Sequence, residues 1–241
     1  MPKAAVIIPA RWESTRFPGK PLHLIAGKPL IQHVWERCRK AREIERIVVA
    51  TDDRRIAEAA MGFGAEVAMT SRRHRSGTDR VAEAAAKLRG ITHIINVQGD
   101  EPLIDPKLIT RLAHEMMADR AVSMITAANI FEKGDDLQNP NAVKVVLNRA
   151  SAALYFSRSL IPFPRVADVL PCYRHQGIYG YTAKFLRDFV RMKPGLLERA
   201  EQLEQLRALE NGVAVRVVIT RHVSIGVDSP ADVQIVEASL R

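Results

Sequence analysis

Residues 4–20 read AAVIIPARWESTRFPGK, and the fold is decided there. Ala4 to Ile8 is an unbroken apolar run, the pattern of a parallel-sheet strand buried on both faces; a half-exposed strand would alternate. Pro9 has no backbone N–H for a ladder, so the strand is expected to stop at it. Beyond it, Arg11, Arg16 and Lys20 put three cations in one loop, beside the Ser14 and Thr15 hydroxyls and a Pro18-Gly19 turn. In an open α/β sheet, ligands sit beyond the carboxyl ends of the strands. Charge alone more often marks a solvated loop. At this position the same charge suits a polyanion, with a nucleotide triphosphate as first candidate.

Two common phosphate signatures are missing. Lys20 is followed by Pro21 rather than Ser or Thr, so the loop is not a Walker A motif. Gly62 and Gly64 form a lone GxG, with Val67 where a third glycine would stand, so a dinucleotide fingerprint is absent.

Working outward, Pro29 to Ala41 has apolar residues at 30, 31, 34, 35 and 38, a helical spacing. Arg46 to Ala50 is a second buried strand, ended by Thr51-Asp52-Asp53. An Asp there caps a helix more often than it catalyses, and Arg54 to Phe63 is the helix it would cap. Glu66 to Met69 is a short third strand. This β-α-β-α-β order predicts a parallel sheet with right-handed crossovers. Ser71 to Arg80 opens a helix whose inner face is Val81, Ala84, Ala85 and Leu88. Its Ser76-Gly77-Thr78-Asp79 start reads first as an N-cap, although unpaired N–H groups there also favour anions.

His93 to Val97 is expected to be the central strand, delivering Gln98-Gly99-Asp100-Glu101-Pro102. Asp100 then stands at the carboxyl edge of the sheet, where one or two carboxylates with substrate phosphate suit Mg2+. The best second carboxylate is Asp228, in GVDSP after a strand over Val213 to Ile219; its plainer reading is a helix cap before Pro230. Asp105 with Pro106 opens a helix to about Met117.

From about residue 121 to 200 the pieces VSMITAANI, AVKVV and ALYFSR are strand-like, separated by turns rather than helices. Antiparallel additions are expected, a smaller lobe within one domain of 1–241 whose first 120 residues mainly bind nucleotide. Arg158 in that lobe suits a carboxylate through two parallel bonds, a surface Arg being its plainer reading. His175 and Tyr179 stand four apart in HQGIYGY and share a strand face, although a lone His is more often structural. Glu198 to Leu209 reads as one helix with the stripe Leu203, Leu206 and Leu209, leaving Glu204 and Gln205 partly off it.

The composition fits a globular protein: 241 residues, 47% hydrophobic and 26% charged. No apolar run reaches the ~20 residues of a membrane span, and the first residues do not read as a secretory signal. Cys38 and Cys172 have no metal-ligand pattern and fit reduced cytoplasmic thiols. A net charge of +9 raises nucleic-acid binding, but 5% aromatics offer no stacking platform among the cations. No HExxH or GxSxG motif is present, which argues against zinc and against a serine nucleophile.

Eight ordered blocks carry a resemblance: IPARWESTRFPGKPL at 8–22, RSGTDR at 75–80, NVQGDEP at 96–102, NPNAVKVV at 139–146, YFSR at 155–158, HQGIYGY at 175–181, LEQLR at 203–207 and GVDSP at 226–230. Together they resemble the 3-deoxy-manno-octulosonate cytidylyltransferase family. The resemblance implies a Rossmann-like, three-layer α/β/α nucleotide-diphospho-sugar transferase fold with a mostly parallel sheet. It implies CTP plus 3-deoxy-D-manno-octulosonate (Kdo) giving CMP-Kdo and pyrophosphate, with Mg2+ on Asp100 and Asp228 and room for a second ion on the substrate. Arg11, Ser14, Thr15, Arg16, Lys20, Ser76, Gly77, Thr78, Arg80 and Gln98 would hold the nucleotide, Arg11 and Lys20 steadying the departing pyrophosphate. Gln98, Arg158, His175, Tyr179, Glu204 and Gln205 would orient the sugar acid. A homodimer joined through the middle lobe follows from the same kinship. The residues alone leave open 8-amino-Kdo or another acidic sugar as acceptor, and a non-catalytic nucleotide sensor.

Overall fold

The apolar run forms β1 (Ala4–Ala10), buried along its whole length. The computed structural model describes residues 1–13, 17–74, 76–132, 134–166 and 171–240. After β1 come a two-residue hairpin pair, β2 (Leu24–Ile25) and β3 (Lys28–Pro29), then α1 (Leu30–Cys38) and β4 (Ile44–Thr51). The parallel half continues through α2 (Arg54–Gly62), β5 (Glu66–Met69), α3 (Gly77–Ala86), β6 (His93–Asn96) and α4 (Pro106–Ala118). Next are β7 (Met124–Ile130), β8 (Lys144–Leu147), β9 (Ala153–Ser157) and β10 (Tyr173–Thr182). The chain closes with α5 (Ala183–Phe189), α6 (Leu196–Glu201), α7 (Gln205–Glu210), β11 (Val215–Thr220) and α8 (Pro230–Leu240).

The main sheet runs β11-β7-β10-β6-β1-β4-β5, with β8 joined to β10 and β9 to β8. β1 pairs in parallel with β4 and β6, β4 with β5, and β7 with β11. β10 runs antiparallel between β6 and β7. The expected antiparallel additions are therefore built into the same sheet as the parallel strands. Val6 and Ile8 of β1 face a core shared with α1 and α4; Ala5 and Ile7 face a second core shared with α3, α5 and α7. This alternation makes three layers. A third, smaller core of Phe17, Ile25, Leu30, Leu103, Val227, Val233 and Val236 ties α8 and the hairpin across the sheet's edge.

Two expectations need correction. β1 does not stop at Pro9 but continues to Ala10. On the β6 side its pairing ends at Ile7, while the β4 side continues through Pro9 and Ala10. Pro9 thus lies where one ladder has already ended, and a missing donor on that side costs nothing. The helix expected over Glu198 to Leu209 is two helices, broken at Gln202 in the left-handed conformation (φ 52°). The break lets Arg207 donate to Glu198 through Nε and Nη2 at 2.7 and 2.5 Å. In a straight helix residues nine apart would stand about 13 Å apart along the axis.

Candidate active site

The loop after β1 is shaped by Gly19. Its φ is 71°, and a β-carbon built there would lie 2.9 Å from the Trp12 indole, so both conformation and space select glycine. The turn starts a single 3-10 turn at Lys20 and sends its side chain back under the sheet edge. There the ammonium donates to Asp100 Oδ2 at 2.5 Å and to the Val227 carbonyl at 2.9 Å. Asp228 Oδ1 lies 4.0 Å from the same nitrogen.

Asp100 and Asp228 are far apart in sequence and meet through backbone packing. Gly99 lets the exit of β6 press against β1, since a β-carbon there would sit 2.7 Å from the Pro9 carbonyl oxygen. Val227, fully buried in the third core, donates its N–H to the Asp100 carbonyl at 2.8 Å. The capping expected of Asp228 is carried out by Asp232, whose carboxylate accepts from the N–H groups of Asp228 and Ser229 at 2.9 and 2.7 Å. Below the pair, Glu101 accepts from the Ser224 hydroxyl. Burial, reinforced by the charges of Asp100 and Asp228, raises the Glu101 pKa against that hydrogen bond.

A polar cavity of about 250 Å³ opens over these groups, and Arg11, Lys20, Ser76, Gly77, Arg80, Gln98, Asp100 and Asp228 line it. Ser76 caps α3 by accepting from the Asp79 N–H, as its position at a helix start suggests. Arg80 is nearly buried and already engaged, donating to Thr70 Oγ1 at 2.6 Å and Asp52 Oδ2 at 3.0 Å. Thr78 donates to Glu204 Oε2 at 2.6 Å, linking α3 to the turn before α7 rather than lining the cavity. Ser14, Thr15 and Arg16 lie outside the described residues. His74, which sequence reasoning passed over, also lines the cavity and pairs with Glu83 at 2.6 Å.

From Gln98 a polar row crosses the sheet. Gln98 donates to Asn96 Oδ1 at 3.3 Å, and Asn96 stands opposite Tyr179 in the β6–β10 register. The Tyr179 hydroxyl donates to Gln205 Oε1 at 3.1 Å, and burial pushes its pKa well up, keeping it neutral. An irregularity between Gln176 and Tyr179 brings the His175 and Tyr179 rings to 5.4 Å. Burial drives the His175 pKa down to about 3. The Thr126 hydroxyl gives its proton to the Ile178 carbonyl at 2.7 Å, so the 2.9 Å contact with His175 Nε2 is donated by the imidazole. That tautomer leaves Nδ1 as an acceptor. Gln205, off the leucine stripe, is buried rather than open to solvent. Among the described residues, its Nε2 and the Nδ2 of Asn96 are buried donors without protein partners, as is Arg174 Nε, and such donors are satisfied by water or a polar ligand.

Arg158 does not line the cavity; it stands two residues after Phe156, whose ring packs against His175 at 5.0 Å. Its guanidinium donates to three backbone carbonyls, those of Glu201 (2.7 Å), Pro140 (2.9 Å) and Gln202 (3.4 Å). Among the described residues these contacts leave two of its five N–H donors, one on each terminal nitrogen, and a guanidinium can hold a carboxylate through two such donors.

The family model described as cytidylyltransferase matches residues 5–219, from β1 to β11. The 3-deoxy-manno-octulosonate cytidylyltransferase of Geobacter sulfurreducens is 51% identical over 246 aligned positions, 98% of either chain. This chain belongs to the 3-deoxy-manno-octulosonate cytidylyltransferase family. The family member of Syntrophobacter fumaroxidans is 50% identical over 95% of this chain and 94% of its own. A solved CMP:2-keto-3-deoxy-manno-octonic acid synthetase complexed with CTP superposes with a TM-score of 0.95 at 40% identity, covering 99% of this chain and 98% of that one. A cytidylyltransferase from Leptospira borgpetersenii, 18% identical with a TM-score of 0.67, shares the fold. The nucleotide-diphospho-sugar transferase architecture is thus common ground.

For a cytidylyltransferase of this family the donor set fits Mg2+. Lys20 Nζ acts as a stand-in cation that both aspartates face. Among the described residues no group of three His, Cys, Asp or Glu side chains could hold a metal alone. Two carboxylates plus substrate phosphate and water are what Mg2+ usually takes. The residues missed from the sequence, Asn96, Thr126 and His74, had one signal: Asn96 and Thr126 interrupt apolar strands at positions that prove fully buried.

Proposed function

We propose that the chain couples CTP to 3-deoxy-D-manno-octulosonate, releasing pyrophosphate and activating the sugar for lipopolysaccharide synthesis. The convergence of Lys20, Asp100 and Asp228 at the mouth of one cavity, in a chain of this family, carries the reading. The anomeric hydroxyl of the sugar gives up its proton to water as its oxygen forms a bond to the α-phosphorus, and the bond from that phosphorus to the bridging oxygen of pyrophosphate breaks in line with it. Such transfers depend on positioning and charge neutralisation. Arg11 and Lys20 would meet the triphosphate and steady the leaving pyrophosphate. Mg2+ bound by Asp100 and Asp228 would supply charge at the α-phosphate and lower the pKa of the attacking hydroxyl. The orphan amides of Asn96 and Gln205, the Nδ1 of His175 and the neutral hydroxyl of Tyr179 offer donors and acceptors for sugar hydroxyls. The free fork of Arg158 would take the sugar's carboxylate.

The assay that tests this is pyrophosphate release with each of four nucleotides against Kdo, 8-amino-Kdo and a sialic acid. Release with CTP and Kdo, and not with the sialic acid, is expected. Equal release with another nucleotide, or none with Kdo, overturns the reading.

A homodimer through the middle lobe belongs to the same reading. Leu154 of the β9 edge strand and Phe163 and Val166 beyond it are exposed apolar side chains, a pattern that marks association surfaces. Phe163→Asp should turn a dimer into a monomer in sedimentation, and an unchanged mass for both forms refutes it. No helix among the described residues is long and apolar enough to cross a membrane. Free thiols at Cys38 and Cys172 support a reducing cytoplasm.

A further inference from the structure

Lys144 opens β8 and is completely buried, 0% exposed. Its ammonium donates to the carbonyls of Asn139 and Arg158, both at 2.8 Å. Among the described residues it has no ion-pair partner, and burial pulls its pKa down. A buried charge held only by neutral carbonyls is expensive, and an apolar side chain of similar volume often serves stability as well or better. Stability alone does not explain a lysine here.

The two carbonyls it holds point to another role. One belongs to Arg158 itself. The other belongs to Asn139, next to Pro140, whose own carbonyl accepts from Arg158 Nη1 at 2.9 Å. Lys144 therefore fixes both ends of the same side chain: the backbone from which Arg158 departs and the turn that receives its tip. Glu201 completes the cradle from the opposite side. It accepts from the Arg158 N–H at 2.9 Å and the Ser157 hydroxyl at 2.6 Å through its carboxylate, and from Arg158 Nε through its carbonyl. No salt bridge from the half-buried Arg158 guanidinium to a carboxylate is present among the described residues, the nearby Glu201 carboxylate being taken up by the Arg158 N–H and the Ser157 hydroxyl.

We infer that Lys144 is a positioning residue for acceptor recognition: it aims the Arg158 fork by holding the backbone at both ends of that side chain. This rests on the reading that Arg158 receives the acceptor's carboxylate.

The test compares Lys144→Met, Lys144→Gln, Arg158→Ala and the Lys144→Met/Arg158→Ala double variant in the full-length enzyme. Thermal melts and KM for CTP and for Kdo are measured separately. KM is independent of the folded fraction, so partial misfolding does not blur the readout. The inference expects both Lys144 variants to raise the KM for Kdo by about tenfold, the KM for CTP staying within about twofold, and expects the double variant to be no worse than Arg158→Ala, since residues acting through one another are non-additive. A lowered melting temperature with an unchanged Kdo KM in both Lys144 variants, or effects that multiply in the double variant, makes Lys144 structural and overturns the inference. If Arg158→Ala itself leaves the Kdo KM unchanged, the reading of Arg158 fails first. If Arg158→Ala raises it and neither Lys144 variant does, only the inference fails.

Discussion

Lys20 and Asp100 form a 2.5 Å ion pair across eighty residues of chain, between the loop after β1 and the loop after β6. Both loops leave neighbouring parallel strands at the same sheet edge, so the pair follows from topology as much as from charge. With Asp228 4.0 Å away, the ammonium sits between two carboxylates that would otherwise repel. Under the proposed function a lysine so placed would have two uses: it would offset the repulsion of the two aspartates, and it would meet an incoming phosphate.

Lys20→Met should separate those uses. Turnover is expected to fall by roughly 10²- to 10³-fold, the usual effect of removing one stabiliser of transition-state charge. Mn2+ binding without nucleotide, followed by electron paramagnetic resonance, should become tighter because a competing cation has gone. Near-normal turnover would mean that the loop does not hold the phosphates.

The two aspartates should not contribute equally. Asp100 is the more enclosed, its side chain 34% exposed against 68% for Asp228, and it makes the shorter contact with Lys20. Asp100→Asn is expected to abolish Mg2+-dependent pyrophosphate release, while Asp228→Asn shifts the Mg2+ titration to higher concentration and keeps measurable turnover. An unchanged Mg2+ titration in Asp100→Asn would take that residue out of the proposed metal site.

How much of this was legible depended on whether a feature is local. The apolar run at Ala4 to Ile8 and the strand at His93 needed no partner to be read, and Asp53 does cap α2 by accepting from Arg55 N–H. The break at Gln202 was not legible, because it exists to let Glu198 and Arg207 meet. Pro9 misled for a similar reason: its tolerance depends on where the β6 pairing ends. Asp228 looked like a cap until α8 turned out to be served by Asp232. Lys144 looked like an ordinary strand residue, since nothing in AVKVV says that both sheet faces at that point are covered.

Gly99→Ala should damage stability rather than chemistry alone. The added carbon would meet the Pro9 carbonyl oxygen at 2.7 Å and Ile31 at 3.3 Å, and a backbone oxygen inside a sheet cannot step aside. Overpacking of this kind costs about 1–3 kcal/mol, a fall in melting temperature of roughly 5 °C for a chain this size. Gly177→Ala, with no atom of the described residues within 4 Å of the added carbon and no positive φ, is the control and should melt near the parent. Equal melting temperatures for the two would show that the β1–β6 exit is looser than the packing says.

His175 should give the protein an acid-sensitive stability. Its folded pKa lies near 3 because burial disfavours the imidazolium, whereas an unfolded histidine titrates near pH ~6.5. Between those values the unfolded chain takes up a proton that the folded chain refuses, so stability falls as pH falls. The loss from about pH 6.5 to about pH 4.5 integrates to roughly 2 kcal/mol. Glu83, with its pKa lowered to about 2 mainly by the Ser71 N–H, loses stabilisation in the same direction, but only below the ordinary carboxylate range near 4.5. His93, whose pKa burial also lowers, adds to the loss in the upper window, and Glu101, whose pKa burial raises, opposes it, so the histidine is isolated by comparing urea melts of parent and variant. His175→Gln should flatten the acid-side slope by that amount, and an identical slope in parent and variant would show that the imidazole is open to protons in the folded state.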